Sequence, residues 1–338
     1  MRTGTTGPRQ GQPVELRQLK YFVAIAEQGS FSKAAETVFV AQSALSHQVA
    51  KLEQELGARL LHRVARGVTL TERGRVFLAH AIAVLKQASD AKLSVRGSLD
   101  APRGRVTVGL PPSVCNPLSV PLLLEVRREL PGVELELVEE VTGNMVAQMR
   151  GGLLNLALMF DSPDLAQFHH EPLVEERLYL ISKATGSSRP AAPIGLKAAL
   201  ALPLLLASPA QSVRKLVEAA ARDSGLPRPN VVAEINSVNI LRLACLAGLG
   251  HAILPPAAFV QEIDAGRLSA RPILRPQLRR TVHVCFPRHV PMTPATRAVH
   301  RIVVRVACAL CESSAWREST AVWTPADAPL HGDAAVEP

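Results

Sequence analysis

Residues 30–57 read SFSKAAETVFVAQSALSHQVAKLEQELG, and the spacing of their apolar residues decides the first domain. From Gln42 to Leu56 the apolar positions are Leu45, Val49, Leu52 and Leu56, three or four apart. That period predicts an amphipathic helix, with Gly57 as its stop. Ser32 is the expected N-cap of a shorter helix, Lys33 to Phe39, whose Ala34, Ala35 and Val38 permit close helix contact. A three-residue link (Val40, Ala41, Gln42) joins the two, which is the layout of a helix-turn-helix. The longer helix then presents Gln42, Ser43, Ser46, His47 and Gln48 away from its apolar face. Short hydroxyl and amide side chains of this kind reach base edges when a helix end enters a major groove. Lys51 lies further along, within reach of phosphate, and Ser32 borders the same surface. Spacing alone also fits an ordinary amphipathic helix with a solvated face.

Outward from this core, Leu16, Leu19, Phe22, Val23 and Ala26 recur at helical spacing up to Gly29. Downstream, Leu60–Arg63 and Gly67–Leu70 flank a turn at Ala65–Gly67 and read as a small β-wing. Arg63 and Arg66 bracket that turn, where long cations straddle a phosphate backbone or enter a minor groove. Thr71 is the expected cap of a helix running to about Val95. Its stripe is Phe77, Leu78, Ala81, Ile82, Val84, Leu85, Ala88, Ala91 and Val95. A helix of roughly 25 residues spans about 37 Å, too long for the head to cover by itself. The stripe either pairs with a second copy or packs on the rest of its own chain.

Charge points the same way. Residues 1–100 carry 14 Lys/Arg against 8 Asp/Glu, while the remaining 238 carry 24 against 21, within a net charge of +9. A basic excess concentrated at one end suits a polyanion, although solubility alone would also account for it.

The stretches LRQLKYF (16–22), SFSKAAE (30–36), AQSALSHQVAKL (41–52), Glu55–Gly57, Leu60–Arg63, Arg66 and LTERG (70–74) resemble the LysR family of transcription regulators. The resemblance is specific from about Leu16 to Leu99 and looser to about residue 312. RRELP at 127–131 and Ala41 are most similar to the nitrogen assimilation control subgroup. Ser43 departs from the family, which commonly has proline at this helix start. Proline preorganises the first turn, so serine leaves the fold intact and bears on base preference. The resemblance implies a double-stranded DNA partner and an antiparallel helix pairing through Leu78, Ile82 and Leu85. It also implies a homodimer or homotetramer.

Beyond a Pro/Gly hinge at Asp100–Gly104, strands and helices alternate. Expected strands are 105–110, 133–139, 156–160, 173–181, 204–207, 231–235, 252–254 and 281–286. Expected helices are 118–130, 144–151, 212–224, 238–246 and 294–312. The fold class is α/β: an N-terminal winged helix-turn-helix, a long linker helix and a C-terminal two-lobed sensor. The sensor resembles the periplasmic solute-binding fold that the family uses. The expected boundaries are a tail at 1–14, the DNA-binding domain at 15–73 and the linker at 74–99. The sensor covers 104–312, with lobes 104–165 plus 280–312 and 166–279, and a structureless tail covers 313–338.

Ligands of open α/β sheets sit beyond the carboxyl ends of strands. Three loops fall there and offer Ser113, Asn116, Ser208, Gln211, Ser212, Ser237 and Asn239, with free N–H groups at helix starts. Plain capping explains any one of them equally well. A small organic acid or amino acid is the expected effector, against a regulator that acts without one.

No nucleophile motif, paired metal-ligand spacing or nucleotide loop stands in the chain, so no enzymatic activity, cofactor or metal is expected. Cys115, Cys245, Cys285, Cys308 and Cys311 are scattered and odd in number, which fits reduced thiols. No long uncharged apolar run suggests a membrane span, and the polar first 15 residues lack a secretion core. The expected location is the cytoplasm. A solute carrier or transferase on the same two lobes is the competing class, but neither needs a winged helix-turn-helix.

Overall fold

The computed structural model describes residues 14–64, 67–96, 101–186, 192–288 and 290–323. The chain divides into two compact units, Met1–Val95 with Gly151–Leu153, and Arg96–Arg150 with Leu154–Pro338.

The first unit contains α1 (Leu16–Gln28), α2 (Phe31–Thr37), α3 (Gln42–Leu56), β1 (Leu61–Val64), β2 (Gly67–Leu70) and α4 (Glu72–Arg96). Its core gathers Phe22, Ile25, Leu45 and Leu52, all fully buried, each contributing about 1.5–3 kcal/mol by burial. Gly29 ends α1 in the left-handed conformation, its N–H bonded to the Ile25 carbonyl at 2.9 Å. The cap of α2 is Ser30 rather than Ser32. Ser30 has the extended backbone a cap needs and accepts a bond from the Lys33 N–H, so the helix starts at Phe31.

β1 and β2 pair antiparallel, with Leu61 opposite Leu70. The Glu53 carboxylate fixes the wing to α3 by accepting from the N–H groups of Leu60 at 2.6 Å and Leu61 at 3.0 Å. Thr71 Oγ accepts from the Gly74 N–H at 2.9 Å, as a cap should. Gly74 itself is forced by space, because a Cβ there would lie 2.0 Å from the Leu60 carbonyl oxygen. Phe77 packs edge-on against Phe22 at 5.4 Å and ties α4 into the head core. The α4 stripe divides on this account. Phe77, Leu78 and Leu85 rest partly buried on the head, whereas Ile82, Val84 and Val95 stay exposed.

The second unit opens with β3 (Gly104–Leu110), α5 (Pro112–Glu129), β4 (Val133–Glu139), α6 (Thr142–Arg150), β5 (Leu156–Phe160) and β6 (Phe168–Arg177). The chain then crosses into β7 (Tyr179–Lys183), β8 (Ile194–Gly195), α7 (Leu196–Ala201), β9 (Leu204–Leu206), α8 (Ser212–Asp223) and β10 (Val231–Glu234). After α9 (Val238–Ala247), β11 (Ala252–Leu254), α10 (Val260–Asp264) and β12 (Leu268–Leu274) it returns. The return runs through β13 (Arg279–Pro287), α11 (Pro294–Glu312) and β14 (Ser319–Ala321).

One lobe is a six-stranded sheet ordered β14-β6-β13-β5-β3-β4. The other holds β11-β7-β12-β8 and the pair β10-β9, which a single bridge from Leu204 to His251 joins. Each lobe has its own apolar core, and the two crossings lie side by side, the Leu178 N–H donating to the Leu278 carbonyl at 2.9 Å.

Four expectations are corrected here. The run 173–181 is not one strand: it changes sheets at Leu178, which is buried and continues the apolar pattern without a turn residue. The lobe boundary therefore falls at 178–179 rather than 166, since β6 pairs with β13 in the first sheet. Helix α5 begins at Pro112, not Leu118. Proline costs nothing in a first turn, and the buried face of Val114, Leu118, Leu122 and Val126 outweighs the interior prolines 117 and 121. Finally, residues 313–323 are not a structureless tail. Trp316 is fully buried and β14 adds to the sheet edge at β6. Residues 1–13, Ala65, Arg66, 97–100 and 324–338, on which parts of the tail, wing, linker and hinge expectations fall, lie outside the described residues.

Candidate DNA interface and effector cleft

On the head, Gln42, Ser43 and His47 are exposed at the start of α3, and Ser46 is half-buried one turn in. Ser32 Oγ donates to Gln42 Oε1 at 3.0 Å, so Ser32 orients this amide across the turn. Arg63 Nη2 donates to Ser46 Oγ at 3.1 Å, and the Arg63 guanidinium lies 5.0 Å from the centre of the Phe31 ring. The wing cation is thereby held against the helix that would read bases, and Phe31, which sequence reading did not single out, is its platform.

Two of the expected residues are placed differently. Gln48 turns its Oε1 inward, where it is buried without a partner, because the residue sits beside the apolar face. Lys51 is ion-paired with Glu15 at 3.5 Å and Glu55 at 3.7 Å, since both carboxylates flank it in the folded head. Arg66 lies outside the described residues.

In the second unit a cleft between the lobes is lined by Ser113, Thr142, Phe160, Gln211, Ser212, Asn236 and Arg280, with leucines and isoleucines from the second lobe behind them. Its void is about 60 Å³, room for a few water molecules. Four helix starts converge here: Pro112–Ser113 of α5, Thr142 of α6, Ser212–Val213 of α8 and Val238 of α9. Their unbonded N–H groups and dipoles favour negative charge. Among the described residues lining the cleft there is one cation, Arg280, and no carboxylate.

Arg280 is only 6% exposed. Its Nε and Nη2 meet Glu176 Oε2 at 2.8 and 2.7 Å, Nη2 also donates to Ser113 Oγ at 2.8 Å, and its guanidinium stacks 3.7 Å above Phe160. Glu176 is fully buried, and its other oxygen accepts from Trp316 Nε1 at 2.9 Å. The C-terminal segment thus reaches the cleft arginine through one carboxylate.

Of the expected effector residues, Ser113, Gln211 and Ser212 line this cleft. Of the others, Asn116 and Ser237 do structural work. Asn116 Nδ2 donates to the Ala258 carbonyl at 2.6 Å, and Ser237 caps α9 by accepting from the Ile240 N–H. The Ser208 N–H donates to Asn236 Oδ1 at 2.9 Å, and neither Ser208 nor Asn239 lines the cleft. Arg280 escaped sequence reading because a lone arginine in a strand carries no motif. Its only signal is a charged residue in a strand buried on both faces.

Burial governs the cysteines. It pushes the Cys115 thiol up to about 12 and Cys245 to about 11, and raises Cys285, Cys308 and Cys311 as well. Thiolate is the reactive form, so these groups are poor nucleophiles at neutral pH. Among the described residues no cluster of three His, Cys, Asp or Glu side chains is placed to hold a metal. No helix among them is long and apolar enough to cross a membrane.

A winged helix-turn-helix followed by a two-lobed α/β module with a cleft defines a DNA-binding regulator with a ligand-sensing domain. The chain matches "Bacterial regulatory helix-turn-helix protein, lysR family" over residues 16–75 and "LysR substrate binding domain" over residues 99–307. It is 32% identical to the nitrogen assimilation regulatory protein nac of Klebsiella aerogenes over 86% of this chain and 94% of that protein. A peroxide-bound cysteine-to-serine mutant of Corynebacterium glutamicum OxyR is 26% identical, with a TM-score of 0.56, covering 90% of this chain and 98% of that one. Full-length CbnR in complex with its target DNA shares the fold at 24% identity, with a TM-score of 0.51, covering 87% and 99%. The chain belongs to the LysR family: it is a DNA-binding transcription regulator with an effector-binding domain, and not an enzyme.

Proposed function

We propose that α3 reads base edges with Gln42, Ser43, Ser46 and His47, while Arg63, Arg66 and Lys51 hold phosphates. Exposure of Gln42, Ser43 and His47 at the start of α3 supports the first set, with half-buried Ser46 one turn in; Arg63 supports the second by its position on the wing. Gln48 is left out of the base-reading set because its oxygen faces inward. Lys51 must give up its carboxylate partners to serve. The regulator works in the cytoplasm as a homo-oligomer joined through α4, with Ile82 at the seam because it remains exposed on its own chain.

The effector is a small organic anion. The observation that carries this is the cleft lining: four helix starts and a buried arginine, with no carboxylate among the described residues. The present void takes only a few waters, so a ligand larger than that must part the lobes. Such a ligand shifts the lobe arrangement by its difference in affinity for the two arrangements, and with it the spacing of the DNA-reading heads. Thermal-shift screening of organic acids and amino acids tests this. A true effector at 100 times its dissociation constant stabilises the protein by about 2.7 kcal/mol. Ser212→Ala removes most of that shift and leaves DNA binding intact. No shift with any anion, together with normal regulation by Ser212→Ala, means that the cleft is structural.

A further inference from the structure

Phe39 occupies an unusual place. It is 93% exposed, the most exposed large apolar side chain among the described residues. Its φ is +57°, in the left-handed region that bulky side chains rarely adopt. The backbone explains why that conformation is needed. The Phe39 N–H bonds the Glu36 carbonyl at 3.3 Å and the Val40 N–H bonds the Ala35 carbonyl at 3.1 Å. These two bonds form the helix-ending motif in which glycine or asparagine normally takes the left-handed position. The turn between α2 and α3 requires the conformation, and it would be reached with less strain by either of those residues.

The ring gives the fold nothing in return. It belongs to no apolar cluster, while its neighbours Val38 and Val40 pack on the head core. A strained, solvent-exposed aromatic calls for a partner outside the chain. Its position names that partner. Phe39 stands two residues before Ala41, the N-cap of α3, and three before Gln42, so it borders the end of the helix assigned to the groove. An apolar ring at a major-groove edge meets one apolar feature of sequence there, the 5-methyl group of thymine.

We infer that Phe39 is a further DNA-contacting residue, reading a thymine methyl beside the bases that α3 reads. This rests on α3 being the recognition helix. The strain at residue 39 is then retained for recognition: asparagine there makes a more stable head and a less selective one.

The test uses the full chain and duplexes enriched from a random pool by the wild-type protein. Phe39→Asn is expected to melt higher than wild type and to bind the enriched duplex about tenfold more weakly, with under a twofold change on unrelated duplex. Replacing thymine by deoxyuridine one position at a time should cost wild type about the same factor at one or two positions. It should cost Phe39→Asn nothing there. Equal affinity of Phe39→Asn and wild type for the enriched duplex overturns the inference, as does an equal loss on every duplex. A lower melting temperature overturns its premise of strain. Ser46→Ala is measured alongside. If it alters base preference while Phe39→Asn does not, only this inference fails; if it alters nothing, the assignment of α3 fails as well.

Discussion

At the start of α3, Gln42, Ser43 and His47 stand in solvent, whereas in the lobe cleft Arg280 is 6% exposed and bonded to Glu176 and Ser113. On the proposed reading both places receive negative charge, in different ways. A nucleic-acid surface is made of groups that water holds until phosphates and bases displace it, and its affinity comes largely from released counterions. The cleft is preorganised by partners from its own chain. A ligand there competes with internal bonds, so binding rearranges the protein around it. The head is a surface that can be tuned residue by residue, while the cleft is a network in which one change is felt throughout.

The largest expected effect follows from that network. Glu176→Gln leaves Arg280 buried beside a neutral group and also weakens the hold on Trp316. Loss of one partner of a buried pair costs about 3–5 kcal/mol. Chemical denaturation of the full chain should show it. Unchanged stability would mean that the cleft is as open as the head surface, and the contrast would vanish.

Next is Ile82→Glu, which places a carboxylate in the proposed α4 pairing at a cost of several kcal/mol. Sedimentation of the full chain should report monomers where wild type is oligomeric. Ile82 is the cleaner probe, because Leu78 and Leu85 also support the head core. A variant that still assembles would place the oligomer contact elsewhere.

A smaller, local effect belongs to the head. Ser46→Ala or Gln42→Ala should change the preferred base at one position by about 1–3 kcal/mol, whereas Arg63→Ala should weaken binding to all sequences alike. Selection from a random duplex pool separates the two patterns. Identical selected sequences for all three variants would contradict the division of labour.

The smallest effect concerns the cysteines. With all five thiols pushed upward by burial, peroxide or iodoacetamide at neutral pH should leave DNA affinity unchanged over minutes. A rapid change would assign the protein a redox input.

The head was readable from sequence because a helix-turn-helix concentrates its pattern: Leu45, Val49 and Leu52 mark one face of α3, and Gly29 and Gly57 mark the ends of α1 and α3. Even so, the choice of Ser30 over Ser32 as cap depended on backbone conformation. The sensor was less readable. Alternation through Leu178 carries no sign that the strand changes sheets, and Pro117 reads as a breaker inside a helix that tolerates it. The cleft was legible in Ser113 and Ser212, in the first turns of α5 and α8, because helix starts leave a local signature. Arg280, Glu176 and Trp316 come together from β13, β6 and the segment after α11, a meeting set by topology alone.

The central claim is that the exposed start of α3 and the wing bind duplex DNA through its charge. Measurement of affinity for a fixed duplex between about 50 and 300 mM salt tests this most directly. With about six phosphates neutralised per bound unit, log affinity should fall against log salt with a slope of about −5. Affinity that does not change across that range would contradict the account.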